Sequence, residues 1–170
     1  MATNETSSPR KIKEYLLRCI DIADQYTYQA LAKLAEECVN RIRDRSAEDS
    51  WIDHTGNLRS SIGYVIIRNG VPINKGGFRS TQAPDGNGAD GQTKGQNYAT
   101  SLATQFSSSP FALIVVAGME YAMYVEAHDN KDVLASTHAW ALSEWPNRAK
   151  RLKKAIEDAW VKLEQQMKIA

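Results

Sequence analysis

The stretch DHTGNLRSSI at residues 53–62 leads into the first strand that the sequence predicts, and the stretch VVAGMEYAMYVE at residues 115–126 ends the last one. Each joins a compact turn to a strongly apolar run. In the first stretch, we expect Thr55 to cap a short turn and Gly56 to relieve a tight backbone. Leu58 is expected to enter the core. Both stretches favour a scaffolding role over a catalytic one.

The overall composition indicates an ordinary globular protein. The chain has 170 residues, which is enough for one domain with a sizeable core. Its 21 basic and 20 acidic side chains give a net charge of +1. A dedicated duplex-DNA binder needs an excess of Lys and Arg to displace phosphate counterions. The charge balance therefore argues against that class of protein.

Cysteine usage and the chain's apolar runs predict a reducing cytoplasm as the folding compartment. Cys19 and Cys38 lie in helix-like sequence without a CxxC pattern, so we expect buried, reduced thiols. Residues 1–8 are polar, which predicts a disordered tail and no signal peptide. The longest apolar run, residues 111–117, is too short to span a bilayer.

Residues 9–46 predict one long N-terminal helix. No glycine or proline follows Pro9 in this range, and apolar residues recur three or four positions apart. Ser8 is expected to cap the helix, and Pro9 suits its first position. A break near residues 21–25 is left open. A helix of this length favours contacts with another subunit.

Residues 58–117 predict a small antiparallel or mixed β-sheet. The run from Ile62 to Ile67 is apolar on both faces, as in a strand covered on both sides. Asn69-Gly70 suits a two-residue hairpin turn. Pro72 limits the returning strand to an edge of the sheet, because proline cannot donate to the ladder.

Residues 74–96 predict a long glycine-rich loop inside this sheet region. They hold six of the ten glycines and show no apolar periodicity, which is typical of a mobile or functional loop. No P-loop ending is present, so phosphate binding is not indicated. A short helix is expected over residues 98–106. The candidate interaction residues of the loop are Gly76, Gly77, Phe78, Arg79, Gly86, Asn87 and Gly88.

The rest of the chain completes an α+β fold in a single domain, residues 1–170. Residues 111–117 are expected to form the central strand. A short helix over 121–127 should pack back over the sheet, and C-terminal helices over 132–168 should pack on it as well. Pro146 should begin a new helix or kink a longer one. The basic run at residues 150–154 predicts a solvated face.

Four side chains could bind a metal if the turns that carry them meet in space: His54, Glu126, His128 and Asp129. A small metal-dependent hydrolase or nuclease using them is the alternative to a non-enzymatic protein. No spacing requires such a site, and no GxSxG elbow is present. A third interpretation is a nucleic-acid-binding module using the basic C-terminal face. We also hypothesise an ion pair between Arg59 and Glu126, within or between subunits.

The two opening stretches resemble a family of tailed-bacteriophage minor structural proteins, the head–tail joining or tail-completion proteins often called tail components. Members show Asp-Thr-Gly-x-Leu-Arg-x-Ser-Ile, here interrupted by His54, and later a strand, a glycine and Tyr-Ala-x-Tyr-Val-Glu. The similarity spans about residues 50–68 and 110–135. The family's Glu-x-Gly-Thr continuation and later Pro-Phe-Leu-Arg-like segment are absent. The residues that carry the resemblance are Asp53, Thr55, Gly56, Asn57, Leu58, Arg59, Gly118, Tyr121, Ala122, Tyr124, Val125 and Glu126.

This resemblance implies a non-enzymatic virion subunit without cofactor or metal. It implies a closed ring of identical subunits, a hexamer, at the neck between head and tail, with assembly in the host cytoplasm. The implied partners are the head's connector or stopper and the tail terminator or tail tube. DNA would pass through the lumen without sequence-specific binding, and no membrane is involved.

Overall fold

A computed structural model describes residues 8–46, 51–106, 108–128 and 131–167, and it confirms the predicted α+β class. Three antiparallel strands form one sheet, and helices make up most of the remaining structure. The predicted tail lies, apart from Ser8, outside the described residues. The elements are α1 (Pro9–Arg43), α2 (Asn57–Ser60), β1 (Ile62–Arg68), β2 (Val71–Gly76), α3 (Ala89–Ala103), β3 (Phe111–Ala117), α4 (Ala122–Ala127) and α5 (Ala135–Met167), with a 3₁₀ turn at Thr104–Phe106.

The chain divides into two compact units, where the sequence predicts one domain. The first, called here the sheet unit, comprises residues 31–143. The second, called the helical unit, is formed within residues 1–30 and 144–170. Helices α1 and α5 each contribute residues to both units.

Helix α1 follows its prediction closely. The Ser8 hydroxyl accepts the Lys11 N–H at 3.4 Å, which satisfies one of the donors that a helix start leaves open. The helix continues without a break through residues 21–25 and ends at Arg43, three residues before the predicted end. The absence of glycine and proline after Pro9 allows this continuity.

The sheet has the order β2-β1-β3. The expectation that residues 111–117 form the central strand is therefore wrong: β1 is central, and six of its seven residues are buried. The hairpin prediction is confirmed, because Asn69 and Gly70 both have positive φ angles, 49° and 78°, as a type I′ turn requires. Pro72 lies on an edge strand as predicted, next to a register shift in the β1–β2 pairing.

Both faces of β1 are covered within the sheet unit. On one face, Val65 and Ile67 pack with Phe78 and with Ala99 of α3. On the opposite face, the Tyr64 hydroxyl hydrogen-bonds to the Glu36 carboxylate of α1 at 2.9 Å. The strand therefore lies between two helical layers, which explains why its sequence is apolar on both sides.

The prediction of a loop over residues 74–96 is wrong at both ends. Strand β2 runs to Gly76, and α3 begins at Ala89. The helix predicted over 98–106 is the end of α3 with its 3₁₀ turn. A Cβ added at Gly95 would lie 2.4 Å from the Ser61 carbonyl oxygen. The glycine therefore allows α3 to approach the backbone at the start of β1.

Helix α5 is one helix rather than two. It runs from Ala135 to Met167 with Pro146 inside it, so this proline begins no new helix. The basic run is solvated as predicted: Lys153 and Lys154 are exposed and pair with acidic side chains one turn later, at 3.7 and 3.5 Å. None of the described helices combines the length and apolarity needed to cross a membrane.

In the helical unit, α1 and α5 run antiparallel. The Trp160 indole Nε1–H donates to the Cys19 carbonyl at 2.9 Å. Glu164, one turn further along α5, lies near Tyr15, one turn earlier in α1. A hydrogen bond with Cys19, followed by burial and the electrostatic effects of Cys19 and Glu164, raises the pKa of the Tyr15 phenol. Cys19 and Cys38 are both buried thiols outside any disulfide, as predicted.

Candidate docking site

The two opening stretches meet in the sheet unit. Ile62 at the end of the first pairs with Ala117 of the second across β1 and β3. The Gly118 N–H lies 3.1 Å from both the carbonyl oxygen and the hydroxyl of Ser61. The Ser61 hydroxyl also lies 2.8 Å from the Leu58 carbonyl oxygen and donates to it. The two stretches therefore form one hydrogen-bonded scaffold, here called the motif junction (residues 51–62 and 117–126).

The first stretch folds as a capped turn. Gly56 has a φ of 74°, and a Cβ there would lie 2.0 Å from the Thr81 carbonyl oxygen, so glycine is required. The Thr55 hydroxyl accepts the Asn57 N–H at 3.3 Å, as predicted for a turn cap. The Asp53 carboxylate accepts the Arg59 N–H at 2.8 Å. A carboxylate at this position satisfies a donor at the start of α2.

Arg59 is not free to pair, which corrects the expectation from sequence. Its guanidinium donates to the backbone carbonyls of Arg43 and Arg45, the latter at 3.0 Å. The same group lies 4.9 Å from the ring centroid of Trp51, within the range of a cation–π contact. Arg59 therefore fastens the end of α1 to the motif junction.

Glu126 does not pair with Arg59, because its carboxylate binds backbone N–H groups instead. Its two carboxylate oxygens accept the N–H groups of Leu134 and Ala135, at 2.7 and 2.9 Å. These donors belong to the first turn of α5, where a carboxylate also complements the helix dipole. The hypothesised ion pair is therefore not formed within one chain. Arg59 instead binds backbone carbonyls, and Glu126 caps the start of α5.

An open cleft of about 410 Å³ lies between the two stretches. The first stretch and the residues just before it line one wall, and α4 with the residue before it lines the other. Six of the lining side chains, from both walls, are Trp51, Ile52, Asp53, Thr55, Tyr121 and Val125.

Polar groups lie at one side of this cleft. Burial and the nearby Asp53 charge raise the pKa of the Tyr121 phenol, and a hydrogen bond with Thr55 partly opposes them. Tyr121 therefore remains a neutral phenol over the physiological pH range. These contacts place Tyr121, in the second stretch, directly against the turn of the first.

Three exposed apolar side chains lie on the two segments that form the cleft walls, and they are here called the rim: Ile52, which lines the cleft, and Met123 and Tyr124 of α4. They are 67%, 82% and 73% exposed. The expectation that α4 packs Tyr124 back over the sheet is wrong, since this ring lies outside and stacks on His128 at 5.9 Å between centroids. Large apolar groups exposed on the segments that form a cleft are typical of a protein-docking surface.

Most candidate residues of the glycine-rich segment serve the fold instead. Phe78 is a buried core residue, and a Cβ on Gly77 would meet Val39 of α1. Gly88 is buried against Ser60. Arg79, which is exposed, pairs with the half-buried Glu36 at 3.7 Å. At the surface, the Asn87 side chain accepts the N–H of Ala89, the first residue of α3, at 3.1 Å. Gly86 is half-buried, and Gly76 ends β2.

The metal-capable side chains do not assemble in the described residues. No group of three or more His, Cys, Asp or Glu side chains there could hold a metal ion. His54 lies 3.8 Å from Asp85, with both side chains largely exposed, while His128 stacks on Tyr124. Asp129, the fourth candidate, lies outside the described residues.

Sequence reasoning missed two contributors to the motif junction. Trp51 is buried beneath Arg59, and among the described residues its Nε1–H has no acceptor. Ser60 is fully buried, and its hydroxyl accepts the Thr81 N–H at 2.8 Å. The sequence signal for Trp51 was its position, as a large aromatic residue just before the turn. Ser60 carried none, because its partner lies 21 residues later in the chain.

No protein-family model matches this chain, and neither a curated protein nor a solved structure matches it.

Proposed function

We propose that this chain is a non-enzymatic structural subunit of a tailed-phage virion, a head–tail joining or tail-completion protein that assembles as a ring at the neck. The observation that carries the proposal is the motif junction. The residues that carry the proposed resemblance form a hydrogen-bonded scaffold that presents an apolar cleft and the rim at the surface. Their polar groups are used as caps and backbone ties.

In this proposal the rim is the contact between neighbouring subunits. A ring arises when a patch on one subunit meets a different patch on the next and the rotation closes. Met123 and Tyr124 are suitable anchors, because aromatic and Met side chains are enriched at the centres of such contacts. The near-neutral charge of the chain suits a lumen through which DNA slides without being held.

The test is light scattering of the purified full chain, combined with electron-microscope images. We expect closed rings of about six subunits, a number taken from the family resemblance, with one repeated head-to-tail contact. Met123→Glu should abolish the rings while leaving the circular dichroism spectrum unchanged. Leu142→Glu is the matched control, since Leu142 is also exposed, at 61%, but lies in α5 and not in the rim.

Three results would overturn the proposal. One is a monomer at every concentration, and another is rings that persist in Met123→Glu. The third is a specific activity of another class. Stoichiometric zinc or manganese in the purified protein would favour the hydrolase alternative, and salt-dependent DNA binding at micromolar concentration would favour the nucleic-acid-binding alternative.

A further inference from the structure

The helical unit has little core of its own. Among its described residues, 8–30 and 144–167, only Cys19 and Leu163 are buried. Apolar side chains are nevertheless present, and four on α1 stay exposed: Ile12 at 41%, Leu16 at 54%, Leu17 at 53% and Ile20 at 54%. These four residues are here called the α1 stripe.

The apolar part of α1 is wider than α5 can cover. With 3.6 residues per turn, the apolar side chains from Ile22 through Cys19 and Leu16 to Leu17 span more than half of the helix circumference. Helix α5 covers the Cys19 side, where Trp160 donates its hydrogen bond. A single packed neighbour needs an apolar face of only about 100°. The α1 stripe is the excess, so it is suited to a second neighbour.

The charges beside the stripe select the neighbour. Lys13 lies four residues before Leu17, and Asp21 lies four residues after it; both are exposed. In an antiparallel pair centred on Leu17, Lys13 of one helix lies beside Asp21 of the other, twice by symmetry. A parallel pair would instead place like charges together. The complementary occupant is thus a second copy of α1, running in the opposite direction.

We propose that two copies of this protein pair through the α1 stripe, antiparallel and about a two-fold axis. Leu17 meets its counterpart at the axis, and Leu16 and Ile20 pack beside it. Such a contact is isologous, whereas the ring contact proposed above is heterologous. The two contacts use different residues, so either one can fail without the other.

The first experiment is sedimentation equilibrium of the full chain over a range of concentrations. We expect a monomer–dimer step in the wild type. Leu17→Glu should raise the dissociation constant at least about tenfold, because two like charges then meet in a desolvated contact. Circular dichroism checks that the fold is kept, which is expected because Leu17 is exposed. Met123→Glu is the control, since it should leave the dimer intact while abolishing rings.

A charge exchange tests the direction of the pair. Lys13→Asp and Asp21→Lys should each weaken dimerisation, and the double variant Lys13→Asp/Asp21→Lys should restore it to within about twofold of the wild type, because unlike charges again lie opposite. A dimer unaffected by Leu17→Glu would overturn the proposal. So would a double variant no better than the single ones, or a wild type that stays monomeric at every concentration and binds only a different protein.

Discussion

The two halves of α1 contain similar apolar residues but bury them very differently. Residues 31–43 lie in the sheet unit and include six buried side chains: Leu31, Leu34, Ala35, Cys38, Val39 and Ile42. Residues 9–30 lie in the helical unit and include one, Cys19. The same helical periodicity therefore leads to a core in one half and to an uncovered stripe in the other. Apolar periodicity predicts a face, and the neighbouring elements determine whether the chain itself covers that face.

The largest expected effect comes from truncating matched positions in the two halves. Ile42 is fully buried, so Ile42→Ala should lower the free energy of unfolding by about 2–5 kcal/mol. Leu16→Ala, at a position 54% exposed, should change it by less than about 0.5 kcal/mol. Urea unfolding of dilute monomer, followed by circular dichroism, measures both values. Equal losses would contradict the comparison.

A smaller loss is expected from crowding the motif junction. A Cβ on Gly118 would lie 2.4 Å from the Cα of Gly95 in α3. Gly118→Ala therefore forces the second stretch and α3 apart, and it should lower the free energy of unfolding by about 1–3 kcal/mol. The same urea experiment measures it. Glycine-to-alanine exchange without a cost would mean that α3 and the second stretch do not approach as closely as described.

The role of Glu126 gives a smaller effect again. Glu126→Ala removes the cap from α5 and should cost about 1 kcal/mol. Because Arg59 has separate partners, a double-mutant cycle with Arg59→Met should be additive within about 0.5 kcal/mol. The cycle is measured at low protein concentration. A coupling free energy clearly above that value would show that Arg59 and Glu126 do form the ion pair that the sequence suggested.

The smallest effect concerns pH. Burial raises the pKa of Asp132, but hydrogen bonds with Ser136 and the charge of Arg45 outweigh it, so the pKa lies below its ordinary value. A carboxylate with a lowered folded-state pKa contributes stability above its unfolded value, about 3.9, which is lost as the pH falls through the lower folded value. In wild type, the urea concentration at the unfolding midpoint should fall as the pH drops below about 4. Asp132→Asn should make this fall less steep, because residue 132 then no longer titrates. An unchanged acid slope would contradict this assignment.

The regular elements could be predicted because their signals are local. The periodicity of α1, the Asn69-Gly70 turn and the effect of Pro72 each depend on neighbours within a few residues. The errors arose where tertiary contacts override local preference. The glycines Gly91 and Gly95 suggest a loop, yet both lie in α3. Glycine is needed at these helix positions because a larger side chain would collide with the backbone of the first stretch. Pro146 is likewise tolerated inside α5.

The candidate site was predicted only in outline. That the two stretches would build one scaffold follows from their strands, which pair as β1 and β3. The partners of Arg59 and Glu126 could not be read from sequence, because backbone carbonyls and N–H groups are present at every residue and carry no residue-specific signal. The sequence also wrongly predicted β3 as the central strand. An apolar strand covered by helices has the same sequence pattern at the centre of a sheet and at its edge.

The central claim is that this chain functions by assembly, through apolar side chains that its own fold leaves exposed. The most direct test is the mass of the purified full chain by light scattering across a wide concentration range, with electron-microscope images of the same samples. The account predicts both dimers and closed rings in the wild type, with Met123→Glu abolishing only the rings and Leu17→Glu only the dimers. A monomer at every concentration would contradict it.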